Sequence, residues 1–150
     1  MTTNLVDLQD RIQKMLDGEK KRREIAGEFL NEFKNILQEE VAETIWGSED
    51  SDVGCVVWVR NKVQGAYQKT DYYYRYDTWE GVNSNECSGF YKEDNTGSPV
   101  WGTEIMDLKG ADFWAAMRCI IGWVEVLAEI IDGRNESRDK LIGLVNKTEQ

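Results

Sequence analysis

The sequence predicts an α+β fold, because apolar residues repeat with the period of a helix at its two ends and with the period of a strand in its middle. Apolar residues recur every three or four positions in residues 4–46 and again in residues 110–148. Residues 52–106 switch to a period of two. A chain of 150 residues is long enough to bury one core. We therefore predict a single domain over residues 1–150, with an N-terminal helix pair, a four-stranded antiparallel sheet and a C-terminal helix pair packed on the sheet.

The N-terminal segment is expected to form a pair of helices. A first apolar stripe runs from Leu5 to Leu16, the Asp-Gly pair at residues 17–18 interrupts it, and a stronger stripe runs from Ile25 to Ile45. One helix with an exposed middle turn is the alternative, since Glu19 and Arg22 occupy positions that a continuous coiled coil would bury. The face opposite the second stripe is expected to lie in water, and its acidic members are Glu24, Glu28, Glu32, Glu39 and Glu43.

The central segment is expected to form a four-stranded antiparallel β-meander. Residues 53–59 are apolar on both sides, which is typical of a central strand that is covered on both faces. A short turn leads to a second strand from Ala66 to Tyr76. Gly89 to Glu93 and Val100 to Ile105 form the remaining hairpin, with its turn at residues 94–97. Connections this short favour antiparallel neighbours.

The C-terminal segment is expected to form a second helix pair. Residues 111–131 are apolar around nearly the whole circumference of a helix, which is typical of a helix that is buried or lies in an oligomer interface. An Asp-Gly pair at residues 132–133 is expected to end this helix, and a last helix follows to residue 148. Together with the long amphipathic helix at residues 24–46, the first of these helices predicts a homo-oligomer, most simply a two-fold dimer.

Composition and charge exclude several classes of function. The chain has 18 basic and 28 acidic residues and a net charge of −10, which argues against direct binding to nucleic acid. It has no histidine, so catalysis and metal binding through imidazole are excluded. It also lacks glycine-rich phosphate loops and the CxxC spacing of zinc and redox sites. The sequence therefore predicts no cofactor, no catalytic residue and no metal-binding residue.

The sequence also lacks the signals that direct a protein to secretion or to a membrane. The first residues lack the basic and apolar regions of a signal peptide, and the most apolar run, residues 111–131, carries four charged residues. The three cysteines, Cys55, Cys87 and Cys119, are far apart in the sequence, which is typical of reduced thiols. We therefore expect a cytoplasmic protein that does not bind membranes.

The tyrosines supply the candidate binding residues. All six lie between Trp58 and Trp101, and four of them fall in the run from Tyr72 to Tyr76. Because side chains alternate along a strand, the even-numbered tyrosines of the run are expected to face the helices, and Tyr73 and Arg75 to face solvent. Tyrosine, tryptophan and arginine concentrate binding energy at protein interfaces. The predicted binding surface therefore consists of Tyr67, Tyr73, Arg75 and Trp79.

A pocket for a small ligand, such as a nucleotide, is the alternative use of this aromatic-rich segment. Such a pocket would lie between the sheet and a helix or at a dimer seam. Aromatic rings stack on nucleobases, and a guanidinium adds charge. The residues expected to line it are Trp58, Tyr72, Tyr74 and Arg75.

Three charged clusters have simpler interpretations as solvated surface. The basic run at residues 20–23 would form a phosphate or acidic-partner site only with convergent partners that the sequence does not supply. The acidic residues between Glu49 and Asp52 lack the ligand spacing of a calcium loop. The carboxylate pairs Glu40/Glu43 and Glu136/Asp139 each share a helix face, as in helical magnesium-dependent enzymes, but a whole sheet separates the two pairs in the sequence, so solvated helix surface is the simpler interpretation.

These observations predict a non-enzymatic, acidic protein-binding module. We expect an inhibitor or accessory factor that docks on the basic surface of another protein, since acidic side chains steer association with a positive partner. Immunity and anti-defence proteins are similar to it in size and charge only. The alternatives are the small-ligand protein and the carboxylate-dependent enzyme.

Overall fold

A computed structural model describes residues 2–46, 55–57, 59–76, 88–93 and 102–148. Within these residues the chain forms three α-helices, six strands and one short 3-10 turn at Ile105–Asp107. In chain order they are α1 (Leu5–Ile36), α2 (Glu39–Trp46), β1 (Cys55–Val57), β2 (Arg60–Val63), β3 (Ala66–Lys69), β4 (Tyr72–Tyr76), β5 (Gly89–Glu93), β6 (Gly102–Glu104) and α3 (Gly110–Thr148). The predicted α+β class with antiparallel pairing is confirmed.

The strands form two antiparallel sheets, so the prediction of one four-stranded meander is wrong. One sheet has the order β1-β4-β5-β6, and the other is the hairpin β2-β3, which separates β1 from β4 along the chain. The hairpin turns at Gln64 and Gly65, whose φ angles of 50° and 83° match the tight turn that joins twisted strands. The predicted strand from Ala66 to Tyr76 is divided where the Thr70 hydroxyl contacts the backbone of Val59 and Tyr72. The predicted turn at residues 94–97 lies outside the described residues.

The predicted helix boundaries are also wrong, because neither Asp-Gly pair ends a helix. Residues 17–18 lie inside α1 and residues 132–133 inside α3, so the C-terminal helix pair is a single helix. A glycine in a helix costs only about 1 kcal/mol relative to alanine, which neighbouring helix-forming residues offset. The N-terminal break falls instead at Leu37, which is buried and leaves the helical conformation.

The core is built around the ring of Phe90 on β5. Phe33 of α1 lies 5.1 Å from it, Tyr74 of β4 lies 5.3 Å away, and Trp123 of α3 lies 6.0 Å away, all as ring centroid separations. Tyr74 and Trp123 are almost completely buried. The cluster joins both long helices to the same face of the four-stranded sheet, and tilted aromatic pairs of this kind add stability beyond the burial of area.

The two long helices run in the same direction along the sheet. Near the start of α3, the indole nitrogen of Trp114 donates a hydrogen bond to Glu19 of α1 at 2.5 Å. Farther along, Phe33 of α1 and Trp123 of α3 flank Phe90. Residue numbers therefore rise together along both helices, and the N-terminal end of α1 and the C-terminal end of α3 extend beyond the core at opposite ends.

Arg23 connects α1 to the segment that precedes α3. Its guanidinium donates hydrogen bonds to the carbonyl oxygens of Leu108 at 2.9 Å and Met106 at 2.8 Å. The same group lies over the ring of Phe113, 4.1 Å from its centroid. The expectation of a solvated basic face therefore fails for this residue, whereas its neighbour Arg22 is exposed. A planar guanidinium suits this role, since it forms several hydrogen bonds and still stacks on a ring.

The contacts of Arg23 predict a loss of stability that a neighbouring arginine does not share. Replacing Arg23→Gln leaves the carbonyl oxygens of Met106 and Leu108 without their charged donor and should cost about 1–2 kcal/mol of unfolding free energy. Urea denaturation followed by tryptophan fluorescence measures the change. The matched control, Arg22→Gln, removes the same charge from an exposed position and should leave stability within about 0.5 kcal/mol. Equal stabilities for the two variants would show that Arg23 does not hold the helices together.

The hydroxyl of Tyr74 predicts a loss of stability in alkali. It donates a hydrogen bond to the carbonyl oxygen of Leu37, and burial raises the pKa of this hydroxyl above its ordinary value of 10.0. The folded state therefore keeps a proton that the unfolded chain releases, so stability is present below about pH 10 and falls as the pH rises beyond it. Tyr74→Phe should cost about 1 kcal/mol at pH 7 and should flatten this fall.

Thermal melts from pH 8 to pH 11 test the prediction about Tyr74. The control is Tyr67→Phe, which removes a hydroxyl from a ring that is 46% exposed. That variant should lose stability in alkali as steeply as the original protein does. A Tyr74→Phe variant that follows the same steep curve would contradict the assignment.

Candidate functional site

An apolar groove lies between α1, α2 and α3. It encloses about 330 Å³. The buried side chains of Phe33, Leu37 and Leu127 line it together with side chains that remain in contact with water. Ile36 is 62% exposed and Val124 is 49% exposed. A continuous apolar surface that water can reach on a folded chain is typical of a binding site.

The helical spacing of the sequence accounts for the lining of the groove. The α1 residues Phe29, Phe33 and Ile36 are separated by four and three positions, which places them on one helix face. On α2, Val41 and Ile45 are four positions apart. The α3 residues repeat the same spacing, and they are Val124, Leu127, Ala128 and Ile131. Each helix therefore contributes one apolar face to the groove.

The segments that build the groove are strongly acidic. Residues 28–46 and 121–132 together contain eight acidic residues and one basic residue, Lys34. Glu32 is itself one of the lining residues. Glu28, Glu40, Glu43 and Asp132 are exposed on the same helices. Glu129 is engaged elsewhere, since it forms an ion pair with Lys62 at 3.4 Å. The apolar lining is therefore accompanied by a local excess of negative charge.

The structure does not bring the predicted binding surface together. Tyr67 is exposed on β3, where its hydroxyl donates a hydrogen bond to Glu129 of α3 at 3.4 Å. Tyr73 is completely buried and stacks on Tyr91 at 5.6 Å, so the expectation that it faces solvent is wrong. A β-carbon at Gly102 would clash with the Tyr73 hydroxyl, which shows how closely β6 approaches this ring. Arg75 is half-buried, and Trp79 lies outside the described residues.

Two residues of the alternative ligand pocket, Tyr72 and Tyr74, contribute to the core instead. Tyr72, Tyr74 and Tyr76 face the helices as expected, and all three belong to the core or pack against it. The ring of Tyr74 fills the space between Phe90 and Leu37. Trp58 lies outside the described residues. The tyrosines therefore pack the sheet against the helices and do not line an open pocket.

A polar cluster lies between the β2-β3 hairpin and α3. The side-chain nitrogen of Asn61 donates a hydrogen bond to the sulfur of Cys119 at 3.3 Å. Burial raises the pKa of the Cys119 thiol, although the hydrogen bond from Asn61 acts in the opposite direction. Burial is also the largest cause of the raised pKa of Tyr72, followed by the negative charge of nearby groups. Since the thiolate is the reactive form of cysteine, Cys119 is suited to packing rather than to nucleophilic chemistry.

The described residues hold no group of three or more cysteine, aspartate or glutamate side chains placed to bind a metal ion. Glu40 and Glu43 are exposed on α2, and Glu136 on α3 pairs with Lys140 at 3.3 Å. The acidic residues at 49–52 and Cys87 lie outside the described residues. Among the residues that the structure describes, no helix is long and apolar enough to cross a membrane.

Sequence reasoning missed the groove because it assigned the apolar faces of α1, α2 and α3 to the core or to an oligomer interface. The pattern alone does not distinguish a covered face from a half-covered one. The signal that could have found the groove is the coincidence of those apolar faces with eight acidic residues in the same two segments. No family model, curated protein or solved structure matches the chain, so the site is interpreted from its own geometry and charge.

Proposed function

We propose that this chain is a protein-binding module whose groove takes one basic amphipathic helix from another protein. The observation that carries the proposal is the exposed apolar groove of about 330 Å³ within two strongly acidic segments. Grooves between helices recognise partner helices through apolar side chains spaced three and four residues apart. An acidic surrounding selects partners whose flanking residues are lysine or arginine.

The length of the groove indicates how much of a partner helix it holds. Its lining residues span Phe29 to Ile36 on α1 and Val124 to Ile131 on α3. At 1.5 Å per residue, each span is about 10 Å long, or two helical turns. Two turns of a partner helix present about three apolar side chains to one face. The expected ligand segment therefore has three apolar anchors within eight residues.

The energetics predict transient binding. Three buried aliphatic side chains contribute about 1.5–3 kcal/mol each, or about 4–9 kcal/mol in total, before the cost of association is subtracted. Dissociation constants in the micromolar range or weaker follow from that sum. Electrostatic attraction then matters, because it accelerates the encounter of an acidic surface with a basic partner. A regulatory or inhibitory role on a basic protein surface agrees with this affinity.

The other predicted properties remain proposals beside this one. The absence of enzymatic activity and the cytoplasmic location follow from the sequence patterns alone. A small-ligand function gains no support from Tyr74, because its ring fills the core beside Phe90. The groove offers the better-supported site, since its side chains are accessible without any change in the core.

A designed peptide pair tests the proposal directly. The probe is a fluorescent helical peptide of about 18 residues with leucine at positions i, i+3, i+4 and i+7 and lysine elsewhere, long enough to form a helix. Its counterpart has glutamate in place of every lysine. Fluorescence anisotropy should detect binding of the lysine peptide and little binding of the glutamate peptide. Raising the salt concentration from about 50 mM to about 500 mM should slow association in stopped-flow measurements.

Matched variants of two exposed valines locate the binding site of this peptide. Val124→Gln places a polar group in the groove and should weaken binding of the lysine peptide about tenfold, because one apolar contact is lost. The control is Val63→Gln on β2, where the valine is 44% exposed compared with 49% for Val124. It should leave the affinity unchanged. Equal binding by both variants, or equal binding of the two peptides, would exclude the groove as the site of a basic helix.

A further inference from the structure

Each long helix ends in an exposed arm that extends beyond the core. We define the α1 arm as residues 5–17 and the α3 arm as residues 135–148, in which every residue is exposed. Their hydrogen bonds are local, such as that between Gln13 and Asp17. Both arms carry large exposed apolar side chains, and these are Leu5, Val6, Leu8, Ile12, Met15 and Leu16 on α1. Those on α3 are Leu141, Ile142, Leu144 and Val145.

A partner would stabilise the helical conformation of arms of this length. The α1 arm has 13 residues and the α3 arm has 14, and isolated helices of about 12–15 residues are marginal in water. Gly143 weakens the α3 arm further, since glycine is a poor helix former. A second helix laid along each apolar stripe would cover it and stabilise the arm.

The geometry points to a second copy of the chain as that partner: we propose a two-fold dimer in which the α1 arm of each copy packs antiparallel on the α3 arm of the other. Because α1 and α3 run in the same direction, the two arms extend from opposite ends of the core. A two-fold rotation across the helices then brings each α1 arm beside the α3 arm of the second copy. Both seams form at once, and the assembly closes.

The two arms match in length, so each arm covers the apolar stripe of the other. At 1.5 Å per residue they are about 20 Å and 21 Å long. With their tips aligned, Leu8 lies opposite Val145 and Ile12 lies opposite Leu141 of the second copy. Lys14 then lies opposite Asp139. The antiparallel arrangement also places the positive N-terminal end of one helix beside the negative C-terminal end of the other.

The distribution of charge favours contact between copies at the arms rather than elsewhere. The α1 arm has three acidic and two basic residues, and the α3 arm has two acidic and three basic residues. Their charges of −1 and +1 cancel, so the whole net charge of −10 lies on the remainder of the chain. Two copies of such a chain repel each other least where the arms meet.

A charge exchange across the seam tests this arrangement. The measurement is sedimentation equilibrium of the full-length chain, for which the original protein should have about twice the 17.3 kDa mass of one copy. Ile12→Glu and Leu141→Lys each place a charge in both seams of a homodimer and should each weaken dimerisation at least about tenfold. An equimolar mixture of the two variants should form dimers again, since one seam pairs Glu with Lys and the other is unchanged.

The controls distinguish loss of the dimer from loss of the fold. Val63→Glu adds a charge to an exposed valine of the hairpin and should leave the dimer intact. The near-ultraviolet circular dichroism of both arm variants should match that of the original protein, which shows that their cores are folded. They should also bind the lysine peptide, because neither substituted residue lines the groove.

Three outcomes would overturn the proposal. In the first, the original protein has the mass of a single copy at about 100 µM, a concentration at which dimers with micromolar dissociation constants are populated. Alternatively, the variant mixture would fail to regain the dimer, which would exclude pairing of α1 with α3. A mass that rises beyond two copies with concentration would indicate an open chain of contacts instead of a closed two-fold pair.

Discussion

The packing of three aromatic side chains on Phe90 determines the arrangement of the whole molecule. The ring of Phe90 stands between Phe33 of α1 and Trp123 of α3, at 5.1 Å and 6.0 Å. It therefore holds the two long helices on one face of the sheet. Near the start of α3 the helices contact each other directly, through Trp114 with Glu19 and Arg23 with Phe113. Farther along, the apolar sides of α1, α2 and α3 remain partly open and form the groove. Tyr74 of β4 completes the cluster from the sheet. Its hydroxyl donates a hydrogen bond to the carbonyl oxygen of Leu37, at the end of α1.

The same packing separates the molecule into a core and two arms with different charge. The core includes the acidic helix faces, whereas the arms are neutral as a pair. Arg23 and Trp114 attach the start of α3 to α1 and thereby set where the α1 arm begins. Beyond these contacts, each helix continues without support from the core. Proteins rarely leave such apolar stripes uncovered, and we therefore propose two interaction surfaces of different character on one short chain, the acidic groove and the neutral arms.

The tyrosine-rich strand β4 shows what a local sequence pattern predicts correctly and what it does not. Alternation along β4 correctly placed Tyr72, Tyr74 and Tyr76 toward the helices. It also predicted that Tyr73 faces solvent, and this failed because Tyr73 is buried against Tyr91 and β6. Alternation specifies which side of a strand a residue occupies but not what covers that side. Likewise, the Asp-Gly pairs are common helix endings, yet the helices continue through both, since the surrounding residues decide the outcome.

The sequence by itself determined the three blocks, the antiparallel pairing and the apolar face of each helix, because these depend on spacing between neighbours along the chain. Charge also belongs to the sequence, and it favoured a basic partner before any surface was known. Only the tertiary structure decided which apolar faces are covered. That outcome depends on contacts between residues far apart in the sequence, such as those of Phe90 with Phe33 of α1 and Trp123 of α3. Whether a side chain is buried depends on how the helices and the sheet pack together, and the pattern of a single segment does not contain that information.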